Sequence, residues 1–277
     1  MAHPMGNRSD LDVARLTSRL CRPPRTWASV DVFDELMSTN ALAMVRGQVW
    51  AVVVAEHQFS GRGRLDRRWF APAFTALTFS VSVPVPPGAT GWVPLVAGLA
   101  VAEAVLTVTG LPAELKWPND VLLPADDHRK VAGILCEYRP PADGADELIV
   151  IGVGLNVSQT RDQLPVDTGT SLTLAGAEPV DREDLLVTVL DRIAVRYAAL
   201  QAGGAAADGV RAAYRAACST LGTEVRLERP GAGTSTAHAL DIDADGALVV
   251  DEGSGPTRYA AGDVTHVRPA SGGGGLA

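Results

Sequence analysis

The chain has 277 residues, which is enough for one large domain or for a medium domain followed by a small one. Its formal net charge of −8 argues against binding to nucleic acid or to an anionic membrane, and its 47% apolar content is typical of a protein with a packed core. Neither a signal peptide nor an apolar run near the roughly 20 residues of a membrane span is recognisable, so we expect a cytoplasmic protein.

Hydrophobic periodicity predicts helices and strands that alternate along most of the chain. Apolar residues at helical spacing, with capping or breaking residues at the ends, predict helices over 11–21, 37–47, 92–110, 181–200 and about 208–218. Runs of apolar and β-branched residues predict strands over 27–36, 50–57, 76–85, 114–123, within 126–139 and over 147–157. A Pro-Asn-Asp turn interrupts the strand at 114–123, and a polar segment occupies 158–171.

The pattern changes after Leu221 and Gly222, where short strands alternate with glycine turns. These strands, predicted at 223–228, 236–243, 247–252 and 257–268, have the close spacing of a small β-barrel. We therefore predict an α+β chain with a partly disordered N-terminal extension (1–26), a main domain (27–220), a C-terminal barrel (221–270) and a flexible tail (271–277).

The segment EHQFSGRGRLDRRW, residues 56–69, places four arginines within seven positions, next to two glycines. Glycines allow the backbone to approach a ligand and to donate N–H groups to an anion, and arginines present planar donors to phosphate or carboxylate. The chain has no GxxxxGK[ST] motif, so this is not a P-loop of the Walker type. A solvated basic loop is the alternative interpretation. Because neighbouring arginines repel one another unless an anion joins them, the segment favours a small polyanionic ligand.

Other polar motifs have a structural interpretation beside a functional one. Ser38-Thr39-Asn40 fits the N-cap of a helix, and a turn explains the amide and carboxylate in Lys116-Trp117-Pro118-Asn119-Asp120. A lysine at the start of an apolar strand, as at Lys130, usually faces solvent. Gly152 and Gly154 fit either close strand packing or a ligand contact. The three cysteines match neither a zinc site nor a disulfide framework, so we expect reduced thiols.

Six motifs, in order along the chain, together resemble those of the biotin protein ligases, also called biotin–[acetyl-CoA-carboxylase] ligases. They are STN at 38–40, EHQ-x2-GRGR at 56–64, the Arg67 and Trp69 that follow, KWPND at 116–120, K-VAGIL-E at 130–137 and GVGLNV at 152–157. The resemblance covers the chain from about residue 30 to its C-terminus. It implies a mixed-sheet catalytic domain of the biotin/lipoate ligase type with a small C-terminal SH3-like β-barrel.

The resemblance also implies a reaction in two steps. The carboxylate of biotin attacks the α-phosphorus of ATP, which carries Mg²⁺, and forms biotinyl-5′-AMP. A lysine on the carrier domain of a biotin-dependent carboxylase then takes the biotinyl group. Biotin, ATP and the carrier domain are the expected partners, without nucleic acid or membrane. A loop that closes over the adenylate would keep water away from it.

The resemblance implies roles for individual residues, one by one. Those implied in biotin binding are Ser38, Thr39, Asn40, Gln58, Arg62, Gly63, Arg64, Lys130, Gly133 and Gly154. Those implied in ATP binding are Arg62, Arg64, Arg67, Trp69, Lys130 and Asn156. Those implied in catalysis are Arg64, Lys116, Asp120 and Lys130. No metal ligand is assigned, although Mg²⁺ is expected with ATP.

The chain departs from the family pattern at Asp66, where glycine is usual. An aspartate lacks the easy access of glycine to positive φ and adds a negative charge beside the anion site, so we expect an effect on loop closure. About 26 residues precede the first predicted strand, too few for the helix-turn-helix of ligases that double as repressors, so DNA binding is not expected. A biotin or biotinyl-AMP sensor and a related lipoate ligase are the alternative functions, and both a monomer and a homodimer are open.

Overall fold

The structure is a computed structural model that describes residues 11–22, 27–141, 146–229, 233–259 and 263–266. Within these ranges the helices are α1 (Val13–Leu20), α2 (Thr39–Arg46), α3 (Val93–Thr109), α4 (Arg182–Ala202) and α5 (Gly204–Ala217). The strands are β1 (Ser29–Leu36), β2 (Ala51–Gln58), β3 (Ala76–Pro84), β4 (Glu114–Lys116), β5 (Asp120–Leu123), β6 (Arg129–Arg139), β7 (Leu148–Asn156), β8 (Glu224–Arg229), β9 (Gly233–Ile242), β10 (Leu248–Asp251), β11 (Pro256–Tyr259) and β12 (Asp263–His266).

The first seven strands form one sheet in the order β1-β2-β3-β7-β6-β5-β4. Strands β1 and β2 run parallel, with Ser29 opposite Ala51, and α2 lies in the connection between them. The other neighbouring strands of this sheet run antiparallel. The predicted mixed sheet is therefore confirmed.

Helix α3 covers one face of this sheet, with α4 and α5 packed against it. It is apolar on all sides because it lies between the sheet and α4, and it ends at Gly110, where φ is +72° as a left-handed C-cap requires. Contrary to the sequence-based expectation, Thr90–Thr109 is long and apolar enough to cross a membrane by length and composition. However, 67% of its most apolar stretch is buried inside the fold, as is common for a helix at the centre of a protein core.

Helix α1 lies within the predicted N-terminal extension and packs on the main domain. Its Leu16 and Leu20 are buried, and Arg19 forms an ion pair at 3.2 Å with Glu183 in the first turn of α4. The parts of the predicted extension and tail that lie outside the described residues are 1–10, 23–26 and 271–277.

Helix α5 begins earlier than predicted, at Gly204 instead of near residue 208. The chain turns at Gly203, where φ is +67°, and then continues at once as a helix. The stretch interpreted as a gap is rich in alanine, the residue with the highest helix propensity, and this explains the longer helix.

The remaining strands form an antiparallel sheet in the order β11-β10-β9-β8-β12. It packs against the mixed-sheet domain through two tryptophans. Trp92 Nε1 donates to Ala244 O at 2.9 Å, and Trp117 Nε1 donates to Gly246 O at 3.0 Å. The predicted strand at 257–268 is divided between β11 and β12. Among the described residues these two strands are the edges of the sheet and do not pair, so closure into a barrel stays a prediction.

The opposite face of the mixed sheet carries α2, which packs on a small apolar cluster that includes Ala43, Val53 and Val150. Farther along the same strands, the positions on this face are small or polar, as at Thr78 on β3 and Gly154 on β7. Such residues do not fill the space above the sheet, and an open cleft remains beside α2.

Candidate functional site

A cleft of about 1150 Å³ lies on this face of the mixed sheet. Every residue for which the resemblance implied a role lines it: Ser38, Thr39, Asn40, Gln58, Arg62, Gly63, Arg64, Arg67, Trp69, Lys116, Asp120, Lys130, Gly133, Gly154 and Asn156. The fold therefore brings residues from six separate motifs to one place.

One part of the cleft is polar and is built on the N-terminus of α2. Ser38 is the N-cap of this helix, and its Oγ accepts a hydrogen bond from Ala41 N. The N–H of Thr39 donates to Gln58 Oε1 at 2.7 Å, and the Thr39 hydroxyl oxygen lies 3.1 Å from the same Gln58 oxygen. The predicted N-cap at Ser38 is therefore confirmed, and the same residue lines the cleft, while its role in biotin binding stays a prediction.

Asn40 is 4% exposed and is held by three hydrogen bonds. Its Nδ2 donates to Leu135 O at 3.3 Å and to Glu137 Oε2 at 2.7 Å, and its Oδ1 accepts from Ser80 Oγ at 2.5 Å. A Cβ on Gly152 would lie 2.2 Å from Asn40 Oδ1, so only glycine leaves room for this amide. The close approach of Asn40 is thus the reason for glycine at position 152.

The arginine-rich segment folds back on itself as a hairpin-like loop. Gly63 N donates to Arg67 O at 2.7 Å, and Trp69 N donates to Gly61 O at 2.9 Å. Leu65 has a φ of 53°, which places an ordinary side chain in the left-handed region. The side chain of the neighbouring Asp66 lies outside the described residues.

Two arginines of this loop are tied to neighbouring segments. Arg62 Nη2 lies 2.9 and 3.2 Å from the carboxylate oxygens of Glu137 on β6. Arg64 Nη1 donates to Asn119 Oδ1 at 3.2 Å, and Asn119 Nδ2 donates to Ile134 O at 2.9 Å. Neither Glu137 nor Asn119 is among the residues for which the resemblance implied a role. Their positions inside the K-VAGIL-E and KWPND motifs were the signal that pointed to them.

Lys130 and Asp120 form an ion pair inside the cleft. Lys130 Nζ lies 2.5 Å from Asp120 Oδ1, and a Cβ on Gly133 would lie 2.9 Å from the same nitrogen. The ammonium group therefore lies over the sheet inside the cleft, and the interpretation of Lys130 as a solvent-facing residue at a strand start is wrong. Lys116 lines the same cleft from β4, opposite Asp120 in the sheet.

Trp69 lies directly over Gly154. Its Cε2 is 2.2 Å from the position that a Cβ on Gly154 would take. Trp69 Nε1 is buried and has no hydrogen-bond partner among the described residues. The resemblance implied that Gly133 and Gly154 let their strands approach biotin. In this structure the side chains that approach them are Lys130 and Trp69.

Asn156 holds one wall of the cleft in place. Its Nδ2 donates to Thr170 O at 2.8 Å, and its Oδ1 accepts from Gln159 Nε2 at 2.8 Å. Thr170 N donates to Lys130 O at 2.8 Å. The polar segment at 158–171 is therefore attached both to the end of β7 and to the start of β6.

Asp126 anchors the same segment. Its carboxylate accepts hydrogen bonds from Arg129 Nη1 at 2.8 Å, Arg161 Nη2 at 2.8 Å and Thr170 Oγ1 at 2.5 Å. Burial by itself would raise the pKa of Asp126, but the hydrogen bonds from Thr170 and Arg161 and the charges of the two arginines outweigh it and lower the pKa. The ionised carboxylate is thus the form that holds this wall.

Positive side chains outnumber negative ones along the cleft, although the chain as a whole is acidic. The cations are Arg62, Arg64, Arg67, Arg68, Lys116 and Lys130, and the anions are Glu114, Asp120 and Asp127. Glu114 also pairs with His128 at 3.0 Å, and neither residue belongs to the motifs of the resemblance. Among the described residues no group of three or more His, Cys, Asp or Glu side chains is placed to hold a metal ion. The cleft therefore suits an anionic ligand.

Two protein-family models match the chain. The model of the Biotin/lipoate A/B protein ligase family matches residues 44–156, and the model of the Biotin protein ligase C terminal domain matches residues 220–267. Between them they cover strands β2 to β7 of the mixed sheet and all five strands of the C-terminal sheet.

Curated proteins and solved structures are similar over most of the chain. The biotin--[acetyl-CoA-carboxylase] ligase of Mycobacterium tuberculosis is 38% identical over 272 residues, which cover 94% of this chain and 97% of that protein. The bifunctional ligase/repressor BirA of Bacillus subtilis is 29% identical over 84% of this chain and 72% of its own. The structure of the biotin protein ligase from Aquifex aeolicus in complex with biotin and ATP has a TM-score of 0.73 at 27% identity, over 88% of this chain and 100% of that one.

Proposed function

The chain belongs to the biotin/lipoate A/B protein ligase family, and from that membership we propose that it is a biotin–[acetyl-CoA-carboxylase] ligase. It uses ATP to attach biotin to a lysine on the carrier domain of a biotin-dependent carboxylase, through biotinyl-5′-AMP. The observation that carries the proposal is that a polar pocket and a group of cationic side chains open into one cleft. Joining the carboxylate of biotin to a phosphate of ATP requires both features. The polar pocket holds the rings of biotin, and the cations allow the two anions to meet.

The polar part of the cleft is proposed to receive the ureido group of biotin, which has one carbonyl acceptor and two N–H donors. The hydroxyls of Ser38 and Thr39 and the amide of Gln58 can both donate and accept. Asn40 lines the same pocket, with its amide already oriented by the protein. Side chains that hold one another in this way are positioned before the substrate arrives.

In the first step, one carboxylate oxygen of biotin attacks the α-phosphorus of ATP. The bond from that phosphorus to the oxygen bridging the β-phosphate breaks, and pyrophosphate leaves. Arg62, the backbone at Gly63 and Arg64 are proposed to contact the carboxylate and phosphates, and Lys130 to contact the carboxylate and the α-phosphate. Positive charge at these positions lowers the barrier because negative charge accumulates as the two anions approach. Arg67 and Trp69 are proposed to bind the nucleotide beside them.

Mg²⁺, which is expected with ATP, would supply further neutralisation of the charge on the phosphates. When phosphates hold this ion, it keeps several waters and takes few protein ligands, which fits a cleft whose described residues contain no cluster of acidic ligands. Asn156 Oδ1 retains a second lone pair beside its bond from Gln159 and would hold a metal-bound water. Lys116 is proposed to face the leaving pyrophosphate from β4.

In the second step, the carrier lysine attacks the acyl carbon of the adenylate as a neutral amine. The bond between that carbon and the phosphate oxygen breaks, AMP leaves with the electron pair, and the nitrogen loses a proton. Asp120 is proposed to orient this amine and to accept its proton. Asp120 Oδ1 lies 2.5 Å from Lys130 Nζ, which supports the assignment. When a substrate anion attracts the ammonium group of Lys130, the carboxylate of Asp120 becomes available to the carrier lysine.

With this function we also infer the domain bounds, the partners, the location and the oligomeric states that are open to the chain. The catalytic domain spans 27–220, and the C-terminal sheet closes into an SH3-like β-barrel within 221–270. A net charge of −8 disfavours nucleic acid as a partner, and we propose that the reaction takes place in the cytoplasm. A monomer and a homodimer are both compatible with a cleft formed within one chain.

Exchange of labelled pyrophosphate into ATP, measured with purified protein and biotin, tests the proposal. We expect exchange that depends on biotin, and mass spectrometry should detect biotinyl-AMP on protein incubated with biotin and MgATP. Binding of biotin without exchange would indicate the sensor, and exchange with lipoate but not with biotin would indicate a lipoate ligase. Either result would overturn the proposed function.

A further inference from the structure

We propose that Glu137 is a positioning residue that couples the arginine-rich loop to the polar pocket, so that the two ends of biotin meet side chains joined through one carboxylate. The inference deepens the proposed function and rests on it, because it concerns the binding of biotin. None of the motif assignments gives Glu137 a role.

The carboxylate of Glu137 contacts one side chain from each part of the cleft. On the loop side, Arg62 Nη2 lies 2.9 Å from Oε1 and 3.2 Å from Oε2. On the pocket side, Asn40 Nδ2 donates to Oε2 at 2.7 Å. Arg62 is proposed to meet the carboxylate end of biotin and Asn40 the ureido end. A single side chain therefore fixes the positions of these two residues relative to each other.

The hydrogen bonds continue from Asn40 into the pocket. Ser80 Oγ donates to Asn40 Oδ1 at 2.5 Å and lies 2.7 Å from Thr39 Oγ1. Because serine has one hydroxyl hydrogen, and Asn40 Oδ1 can only accept, that hydrogen is committed to Asn40. The N–H of Thr39 donates to Gln58 Oε1 at 2.7 Å. A continuous path of polar contacts thus runs from the loop to Gln58 through Glu137.

Strand β6 gives Glu137 a rigid support. It pairs with β7 along its length, and Glu137 lies opposite Val150. The Glu137 side chain is 25% exposed, so its ion pair with Arg62 is partly shielded from water. Two residues farther on the same face, Arg139 Nη1 donates to Met44 O in α2 at 3.5 Å. The end of β6 therefore positions both α2 and the loop.

The contact orients Arg62 without using all of its donors. Both distances to Glu137 involve Nη2, and a guanidinium has five N–H donors on three nitrogens, so Nε and Nη1 remain directed elsewhere in the plane of the group. Glu137 also offsets the repulsion between Arg62 and the other cations of the cleft. A glutamate at this position keeps an arginine beside the anion site before any anion is bound.

A double-mutant cycle on the dissociation constant of biotin tests the coupling. The constant is measured by titration calorimetry with the full chain and the variants E137Q, R62A and E137Q/R62A. Glutamine keeps the size of the side chain and removes its charge. We expect E137Q to weaken biotin binding about tenfold in the wild-type background and about threefold or less in the R62A background, because there it only weakens the contact with Asn40.

The matched control is E147Q. Glu147 accepts a hydrogen bond from Tyr138 Oη at 2.7 Å and lies outside the cleft, so this variant should bind biotin as the wild type does. In the exchange assay E137Q should raise KM for biotin more than it lowers kcat, whereas a defect in folding alone would reduce the active fraction and leave KM unchanged. If thermal unfolding shows that E137Q is not folded, E137D takes its place. It keeps the charge with a shorter reach and should weaken binding less than tenfold but measurably.

The outcomes separate the inference from the function on which it rests. Equal weakening by E137Q in both backgrounds, or a dissociation constant within twofold of the wild type, would overturn the coupling while the ligase function stands. A wild-type protein that neither binds biotin nor exchanges pyrophosphate would overturn both.

Discussion

Lys130 Nζ lies 2.5 Å from Asp120 Oδ1, so the proposed cation of the first step and the proposed base of the second neutralise each other in the free protein. A carboxylate and a triphosphate entering the cleft compete with Asp120 for this ammonium group. In the proposed mechanism, the anions of the first step would release the carboxylate that the second step needs.

Replacing Lys130 with alanine should reduce biotin-dependent pyrophosphate exchange about 100- to 1000-fold, because one positive charge at the reacting anions is lost. The assay is the exchange rate at saturating biotin and ATP. Circular dichroism and the unfolding temperature should match the wild type, since Lys130 is part of the cleft and not of the apolar core. A rate within a few-fold of the wild type would remove Lys130 from the mechanism.

Replacing Arg64 with alanine should shorten the time for which biotinyl-AMP stays bound, because the loop loses its contact with Asn119 and a cation near the phosphate. Released adenylate reacts with any exposed lysine, so an unrelated protein in the mixture should become biotinylated. Detection of biotin on that protein is the measurement. The control is R192A, on the exposed side of α4, which should give only the wild-type level. Equal labelling by both variants would contradict this role for the loop.

Gly152→Ala should impair the pocket, because the new Cβ would lie 2.2 Å from Asn40 Oδ1. We expect biotin to bind about tenfold less tightly, with a loss of about 1–3 kcal/mol in the free energy of unfolding from overpacking. Gly209→Ala is the matched control, because no atom lies within 4 Å of its added Cβ. That variant should keep its affinity for biotin and gain about 0.5–1 kcal/mol of stability, since Gly209 lies inside α5.

Removing one partner of the buried ion pair between Arg182 and Glu56 should strongly destabilise the fold. Arg182 Nη1 lies 2.5 Å from Glu56 Oε2, and the side chains are 6% and 3% exposed. Arg182→Met leaves a buried carboxylate without its charged partner and should lower the free energy of unfolding by about 3–5 kcal/mol, measured in urea. The double variant R182M/E56Q should recover part of this loss. A single variant that loses less than about 1 kcal/mol would show that the carboxylate is satisfied without Arg182.

The pKa of Asp126 is lowered in the folded chain, and this determines whether the stability of the fold rises or falls with pH. Such a carboxylate stabilises the fold above its ordinary pKa, and the stabilisation is lost as pH falls through the lowered value. Asp126→Asn should therefore have a lower unfolding temperature at pH 7 and lose less stability than the wild type when acidified below about pH 4. Asp208→Asn, at a side chain that is 71% exposed, should follow the wild-type curve. Parallel curves for all three proteins would contradict the role of Asp126.

Local features of the fold were predictable because they depend on a few neighbouring residues. The N-cap at Ser38 and the left-handed C-cap at Gly110 follow from side-chain hydrogen bonding and from the conformational freedom of glycine. The start of α5 was predicted too late, because the glycines around position 204 suggested a gap that helix formation by the following alanines overrides.

The sequence by itself determined the kind of site. Six motifs identified the family, and every residue to which they assigned a role lines one cleft. Only the tertiary structure decided how those residues are held. Arg62 and Glu137 are 75 positions apart, and the need for glycine at position 152 becomes visible only when Asn40 is seen above it. Such contacts depend on strand order and on the register between β6 and β7, in which a slip of one residue would turn Glu137 to the other face of the sheet. The residue patterns along the chain do not specify that register.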